Sequence, residues 1–202
     1  MSVNRTLSQT QGAIKKNYRV NNAFESFPTI QTMVDVAAAS DTSVMAATLL
    51  ASGVTTTISG ATLTDPGEYR AFAIKGNQSG VAGTVVITGY DRGGKVVTDR
   101  IASSGATSVS GVIPMSEIIS VVLPAYVAAT DTISVGVSSK LGLYRPISST
   151  ADVVMEERKA TADSAFTIET LGTVNATYGT VIPSGTIVAD DSFRFSINTK
   201  IF

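Results

Sequence analysis

The feature that most constrains this chain is residues 83–101, GTVVITGYDRGGKVVTDRI. Two runs rich in Val, Ile and Thr, 84–90 and 95–101, flank Asp91-Arg92-Gly93-Gly94. Branching at Cβ restricts χ1 and suits a pleated strand. Glycine supplies the positive φ of a tight reversal. Strand-prone runs on either side of a short polar loop read as a β-hairpin. The unit predicts an all-β chain.

Other segments agree with it. Residues 29–39, TIQTMVDVAAA, begin with alternation at Ile30, Thr32, Val34 and Val36 and suit a strand. Residues 44–51, VMAATLLA, have the best helix propensity in the chain, with Gly53 placed to end a helix; a strand is the competing reading. Residues 54–59 alternate as a strand, and Asp65-Pro66-Gly67 is a turn. In 69–75, YRAFAIK, Phe72 and Ile74 are the expected inward pair. Residues 117–123, EIISVVL, form an apolar run between Pro114 and Pro124 that suits a strand buried on both faces. Residues 133–137 are a further strand.

Residues 148–164 hold the densest charge, Glu156-Glu157-Arg158-Lys159, and read as a linker or a solvated strand edge. Residues 166–171 and 173–178 read as strands. At the end, Phe193, Phe195, Ile197 and Ile201 alternate with Arg194, Ser196, Asn198 and Lys200, the pattern of a strand on a half-buried sheet. Short strands with Gly and Pro between them predict an antiparallel β-sandwich. The chain divides into an extended basic arm (1–28), a sandwich domain (29–147) and a strand-rich C-terminal segment (148–202) that lies on or beside the sandwich.

Composition narrows the chemistry. The 202 residues include no Cys and no His, which removes disulfides, thiolate sites and the commonest general base. Hydrophobic residues make up 44% and charged residues only 15%, ample material for a core. Net charge is −1, so no overall field steers nucleic acid to the chain. No apolar run approaches the roughly 20 residues of a membrane span. Residues 1–20 lack the apolar stretch of a signal peptide, so manufacture and use without secretion are expected.

The charge is unevenly placed. Arg5, Lys15, Lys16 and Arg19 fall in the first 24 residues, which contain no acid. The remaining residues hold 11 basic and 16 acidic side chains, a net of −5. An acidic face on a neighbouring subunit, including this protein's own net-negative body, is the expected partner of the arm. Nucleic acid fits it less well, because four charges over fifteen residues make a thin basic patch. Tyr18, Phe24 and Phe27 are the arm's aromatics. They either dock on a neighbour or pack on their own domain.

Other candidate sites have plainer readings. Asp91, Asp99, Asp131, Asp190 and Asp191 could offer oxygen to Ca²⁺, but Asp is also a default turn residue. Glu68, Asp99, Glu117, Glu156 and Glu157 could form a glycosidase pair, yet no local motif joins two of them. Residues 76–83, GNQSGVAG, lack the ending of a phosphate loop. No catalytic residue, cofactor or metal is expected.

A family resemblance covers most of the chain. TTTISGATLTDPGEYR is followed by GTVVITGYDRGGKVVTDRI, similar to the pattern G-x-V-x-V-x-G-x-D-x-x-G-x-x-x-T-E. EIISVVLPA then precedes DTISVGVSSKLGL, similar to D-x-x-x-V-G-x-x-D-K-L-G-L. The lead-in VDVAAASDTSVMAA and the ending GTVNATYGTVIPSGTIVADDSFRFSINTKIF also match in character. These features resemble a domain of structural proteins of tailed bacteriophages. Asp99 stands where Glu is usual, and Ser139 where Asp or Asn is usual. The resemblance implies a non-enzymatic virion component of the head or neck: a decoration, collar or head-to-tail connector protein. Its expected partners are the major capsid, portal or neck proteins and further copies of itself, with assembly in the host cytoplasm. The alternatives are a tail or fibre component that meets the host, with Tyr90, Tyr126, Tyr144 and Tyr178 as contact candidates, or a carbohydrate-binding adhesive module.

Overall fold

A computed structural model describes residues 27–199. It is an all-β antiparallel sandwich of fourteen strands, with one sheet curled toward a half-barrel. The strands are β1 (Phe27–Val36), β2 (Ser40–Leu49), β3 (Thr56–Ser59), β4 (Arg70–Gly76), β5 (Thr84–Tyr90), β6 (Val96–Ala102) and β7 (Val109–Ser110). They continue as β8 (Glu117–Leu123), β9 (Thr132–Gly142), β10 (Val153–Lys159), β11 (Thr167–Glu169), β12 (Thr173–Asn175), β13 (Thr180–Ile182) and β14 (Asp191–Thr199). Two single-turn 3₁₀ segments, Gly60–Thr62 and Thr150–Asp152, interrupt them.

The strands form three sheets. The middle sheet runs β12-β13-β9-β4-β7, with β2 also on β9. One flanking sheet runs β3-β8-β5-β6, and the other β1-β14-β10-β11. Two cores lie against the middle sheet. The first joins Phe72, Ile133, Val135 and Val137 to Val85, Ile87, Val121 and Leu123. The second joins Leu141, Leu143 and Val181 to Phe193, Phe195, Ile197 and Met33. Strand β9 serves both, through Ile133–Val137 at one end and Leu141 at the other.

The hairpin stands where its residues put it: β5 pairs β6 from Thr84↔Ala102 to Tyr90↔Val96. In its turn Asp91 accepts hydrogen bonds from the backbone N–H groups of Gly93 and Lys95 at 2.8 and 2.9 Å. Gly94 alone of the two turn glycines takes positive φ, at 77°. Phe72 and Ile74 enter the first core, and Phe193, Phe195 and Ile197 line the second.

Several expectations need correction. Residues 44–51 are not helical; most of them lie in β2, which pairs β9 with two register shifts. Val44 and Met45 bury in the first core, and that packing outweighs the helix propensity of Ala, Leu and Met. The run 117–123 is not buried on both faces. Ile118, Val121 and Leu123 face in, while Ile119, Ser120 and Val122 stay partly exposed. A bulge opposite Thr88 and Gly89 shifts the phase, so that an alternating strand reads as a continuous apolar run. Burial on both faces belongs instead to β4 and β9 in the middle layer. Residues 153–159 are no linker: β10 lies between β14 and β11. Of residues 173–178, only Thr173–Asn175 are a strand, and the next strand begins at Thr180.

Candidate assembly surface

The sheet β1-β14-β10-β11 has one face on the second core and one face outside. Strand β1 ends that sheet, and its strand partner among the described residues is β14. Phe27 opens the strand opposite Thr199. The pairing is regular from Phe27↔Thr199 to Met33↔Phe193. It then shifts before Val36↔Asp191, where Asp35 takes φ 54°. That bulge divides the strand's faces. Gln31 and Met33 point inward, Ile30, Thr32 and Val34 point outward, and Val36 returns to the core. The alternating row that marks this strand in the sequence therefore lies mainly on the outside.

Gln31 fixes β1 to the body. Its Nε2 donates to the Gly142 carbonyl at 3.0 Å, and its Oε1 accepts from the Tyr144 backbone N–H at 2.6 Å. Gly142 ends β9 and Tyr144 lies just past it, so one buried amide ties the edge strand to the strand shared by the two cores.

Edge strands offer unpaired backbone groups to other chains and are commonly blunted by charge, bulges or shortness. β3, β7, β11 and β12 are two to four residues long. β6 is longer but presents Arg100. β2 is long but has two register shifts. Residues 27–34 contain no charge and precede the bulge. On this edge the outer face carries Ile30 and Val34, each more than half exposed, while Val154 on β10 and Ile168 on β11 lie farther across the sheet. Arg194 crosses the same face and stacks 3.8 Å from the centre of the Phe166 ring.

A second feature lies elsewhere. The β5–β6 turn, the segment after β9 and the β12–β13 turn enclose a cleft of about 390 Å³. Tyr69, Arg92, Tyr144, Arg145, Pro146 and Tyr178 line it. The Arg92 guanidinium lies over the Tyr144 ring, whose centre is 6.2 Å from that of Tyr69. Burial raises the pKa of the Tyr69 hydroxyl, and nearby Asp91 adds to the shift. Tyr144 and Tyr178 thus come together, while Tyr90 lies in β5 and Tyr126 packs against the first core.

The carboxylates considered as calcium ligands are placed separately. Asp99 accepts from the backbone N–H groups of Val112 and Ile113 at 2.8 and 3.1 Å, and from that of Arg100 at 2.9 Å. Asp131 accepts from the N–H groups of Ala128 and Val127 and from the Gln78 amide. Those bonds, led by the one from Ala128, hold its pKa below the ordinary value. Asp190 takes φ 67° at the turn into β14. Asp191 pairs with Arg158 at 2.6 Å and accepts from the Val188 N–H. Among the described residues, no three acidic side chains converge as a metal site would require.

Glu156 is fully buried on the inner face of β10. Its two oxygens accept from the backbone N–H groups of Ser184 and Gly172 at 2.8 and 2.9 Å. Burial raises its pKa, and those two bonds oppose the rise. Arg70 is buried too, donating to the carbonyls of Ser138 and Ala37. Burial lowers its pKa to about 10. Sequence reasoning did not single out Gln31, Arg70 or the cleft. Their partners are distant in the chain, and no local motif marks them.

Arg5, Lys15, Lys16, Tyr18, Arg19 and Phe24 lie outside the described residues. Comparison with family models, with characterised proteins and with solved structures found no match to the chain.

Proposed function

We propose that this chain is a non-enzymatic structural component of a tailed-phage virion. It acts by protein–protein assembly at the head or neck as a decoration, collar or head-to-tail connector protein. The observation that carries the reading is the β1 edge, an uncharged strand margin among the described residues that exposes Ile30 and Val34. Such a margin is costly for a protein that works alone, because it invites strand addition. In an assembly that property becomes the contact. The likeness of the hairpin and the DTISVGVSSKLGL segment to phage structural domains supports the same reading. Immunogold labelling of tailed particles tests it: label at the head or neck is expected, and recovery of the chain only outside particles would overturn it.

A second reading is favoured by the cleft. Tyr144 and Tyr178 face it with two arginines, an arrangement suited to a host surface glycan. This would place the chain in the tail or a fibre. A glycan array separates the two, since binding lost on Tyr178→Ala would support the host-contact reading.

A further inference from the structure

The geometry points to β1 as a self-pairing strand: β1 of one copy lies antiparallel to β1 of a second copy, centred on Thr32. The inference rests on the assembly reading and adds to it a partner and a register. A two-fold axis makes each contact occur twice, so the strand must be complementary to itself. Centred on Thr32, Ile30 of each copy meets Val34 of the other, and Thr32 meets its own mate. Gln31 and Met33 pair in the same way on the inner face. Ile30 and Val34 are 60% and 59% exposed in the single chain. β-branched and Thr–Thr cross-strand pairs are favourable, and no charge lies in residues 27–34 to meet its like.

The register is constrained. Shifting the centre to between two residues would pair outward with inward side chains and break the continuous sheet. Centring on Gln31 sets Val34 against Pro28, and centring on Ile30 carries Val34 past Phe27. Only the Thr32 centre gives both exposed apolar residues a partner within 30–34. The bulge at Asp35 then ends the pairing at both sides, so two copies join without extending into a ribbon.

Charge supports the same occupant. In this arrangement the start of β1 in one copy lies beyond Val36 of the other. Residues 1–24 hold four basic side chains and no acid. Residues 25–202 of the other copy hold 11 basic and 16 acidic side chains. Five paired residues form a contact below the roughly 1,200 Å² of standard interfaces. The pair is weak alone and gains strength when a ring or lattice repeats it.

The absence of Cys gives a direct test. In the full chain, Thr32→Cys introduces the sole thiol, and directly opposed strand residues bring Cβ atoms to about 4.5–5.5 Å, from which a small adjustment of the strand pair closes a disulfide. Mild oxidation should convert most of this variant to a covalent dimer. Val96→Cys, an exposed position on β6, should dimerise at least tenfold less. Adding Ile30→Lys and Val34→Lys to Thr32→Cys should reduce dimer yield at least tenfold with an unchanged far-ultraviolet spectrum. Equal yields from the Thr32 and Val96 variants would overturn the inference, as would a monomeric Thr32→Cys chain. If light scattering then showed oligomers that survive the two lysines, this strand and register would fall while the assembly reading stood. No self-association together with absence from particles would remove both.

Discussion

Asp99 and Gly111 supply the sharpest test of how the loop after β7 is held. Asp99 is 3% exposed, and its carboxylate accepts three backbone N–H groups. Gly111 lies against it: a Cβ built there would come 2.1 Å from Asp99 Oδ2. Replacing Asp99 with Ala leaves the Val112 and Ile113 donors unmatched in a partly buried loop. At about 1–3 kcal/mol for each buried donor left unsatisfied, the cost is about 3–4 kcal/mol. With a urea slope of about 2–3 kcal/mol per M, the unfolding midpoint should fall by about 1.5 M. Asp99→Asn keeps one carbonyl oxygen for Val112 and Ile113 and turns an amide toward Arg100, so it should cost only about 1 kcal/mol. Gly111→Ala should cost nearly as much as Asp99→Ala, because the methyl group expels the carboxylate. The double variant then decides the matter. Once Asp99 is Ala, the methyl group has space on that side, and the two losses should fall short of additive by about 2 kcal/mol. Urea titrations of the four proteins, followed by far-ultraviolet dichroism, measure this. Strict additivity, or a loss under about 1 kcal/mol for Asp99→Ala, would refute the clasp.

Other residues give further tests. Gln31→Ala should destabilise the chain by about 1–3 kcal/mol and speed hydrogen exchange in β1 more than in β5, since it removes both bonds to Gly142 at the end of β9 and Tyr144 just past it. Arg70→Lys should cost about 2–4 kcal/mol, because an ammonium cannot span the Ser138 and Ala37 carbonyls as the guanidinium fork does; an unchanged melting temperature would contradict this. Asp131 has its pKa held below the ordinary 3.8, so its stabilising effect is complete above that value and is lost as pH falls through the lower folded value. The melting-temperature gap between wild type and Asp131→Asn should therefore be widest near neutral pH and close in strong acid; a gap independent of pH would argue against it.

Local chemistry made much of the fold legible. The hairpin could be read because both strands and their turn lie within nineteen residues, and Asp91 and Gly94 act inside that window. The alternation of Phe193, Phe195 and Ile197 could be read because one face of β14 meets an apolar core. The edge was not legible, since among the described residues β1 pairs with β14, more than 150 residues later. Its alternating residues gave the strand but not the face, because the inward row contains Gln31, whose partners near residue 143 no local pattern reveals. Glu156-Glu157-Arg158-Lys159 resembled a solvated run for a related reason. Glu156 and Arg158 face inward to bind backbone groups and Asp191, and charge alone does not record that satisfaction. In β2, pairing with β9 overrode a sequence that would suit a helix in isolation.

Strand β9 has a mechanical consequence. Because both apolar interiors press on the same ribbon, the two halves are joined among the described residues by one continuous strand instead of a linker. The same economy has a cost, for loosening that ribbon anywhere should release both halves in a single melting step.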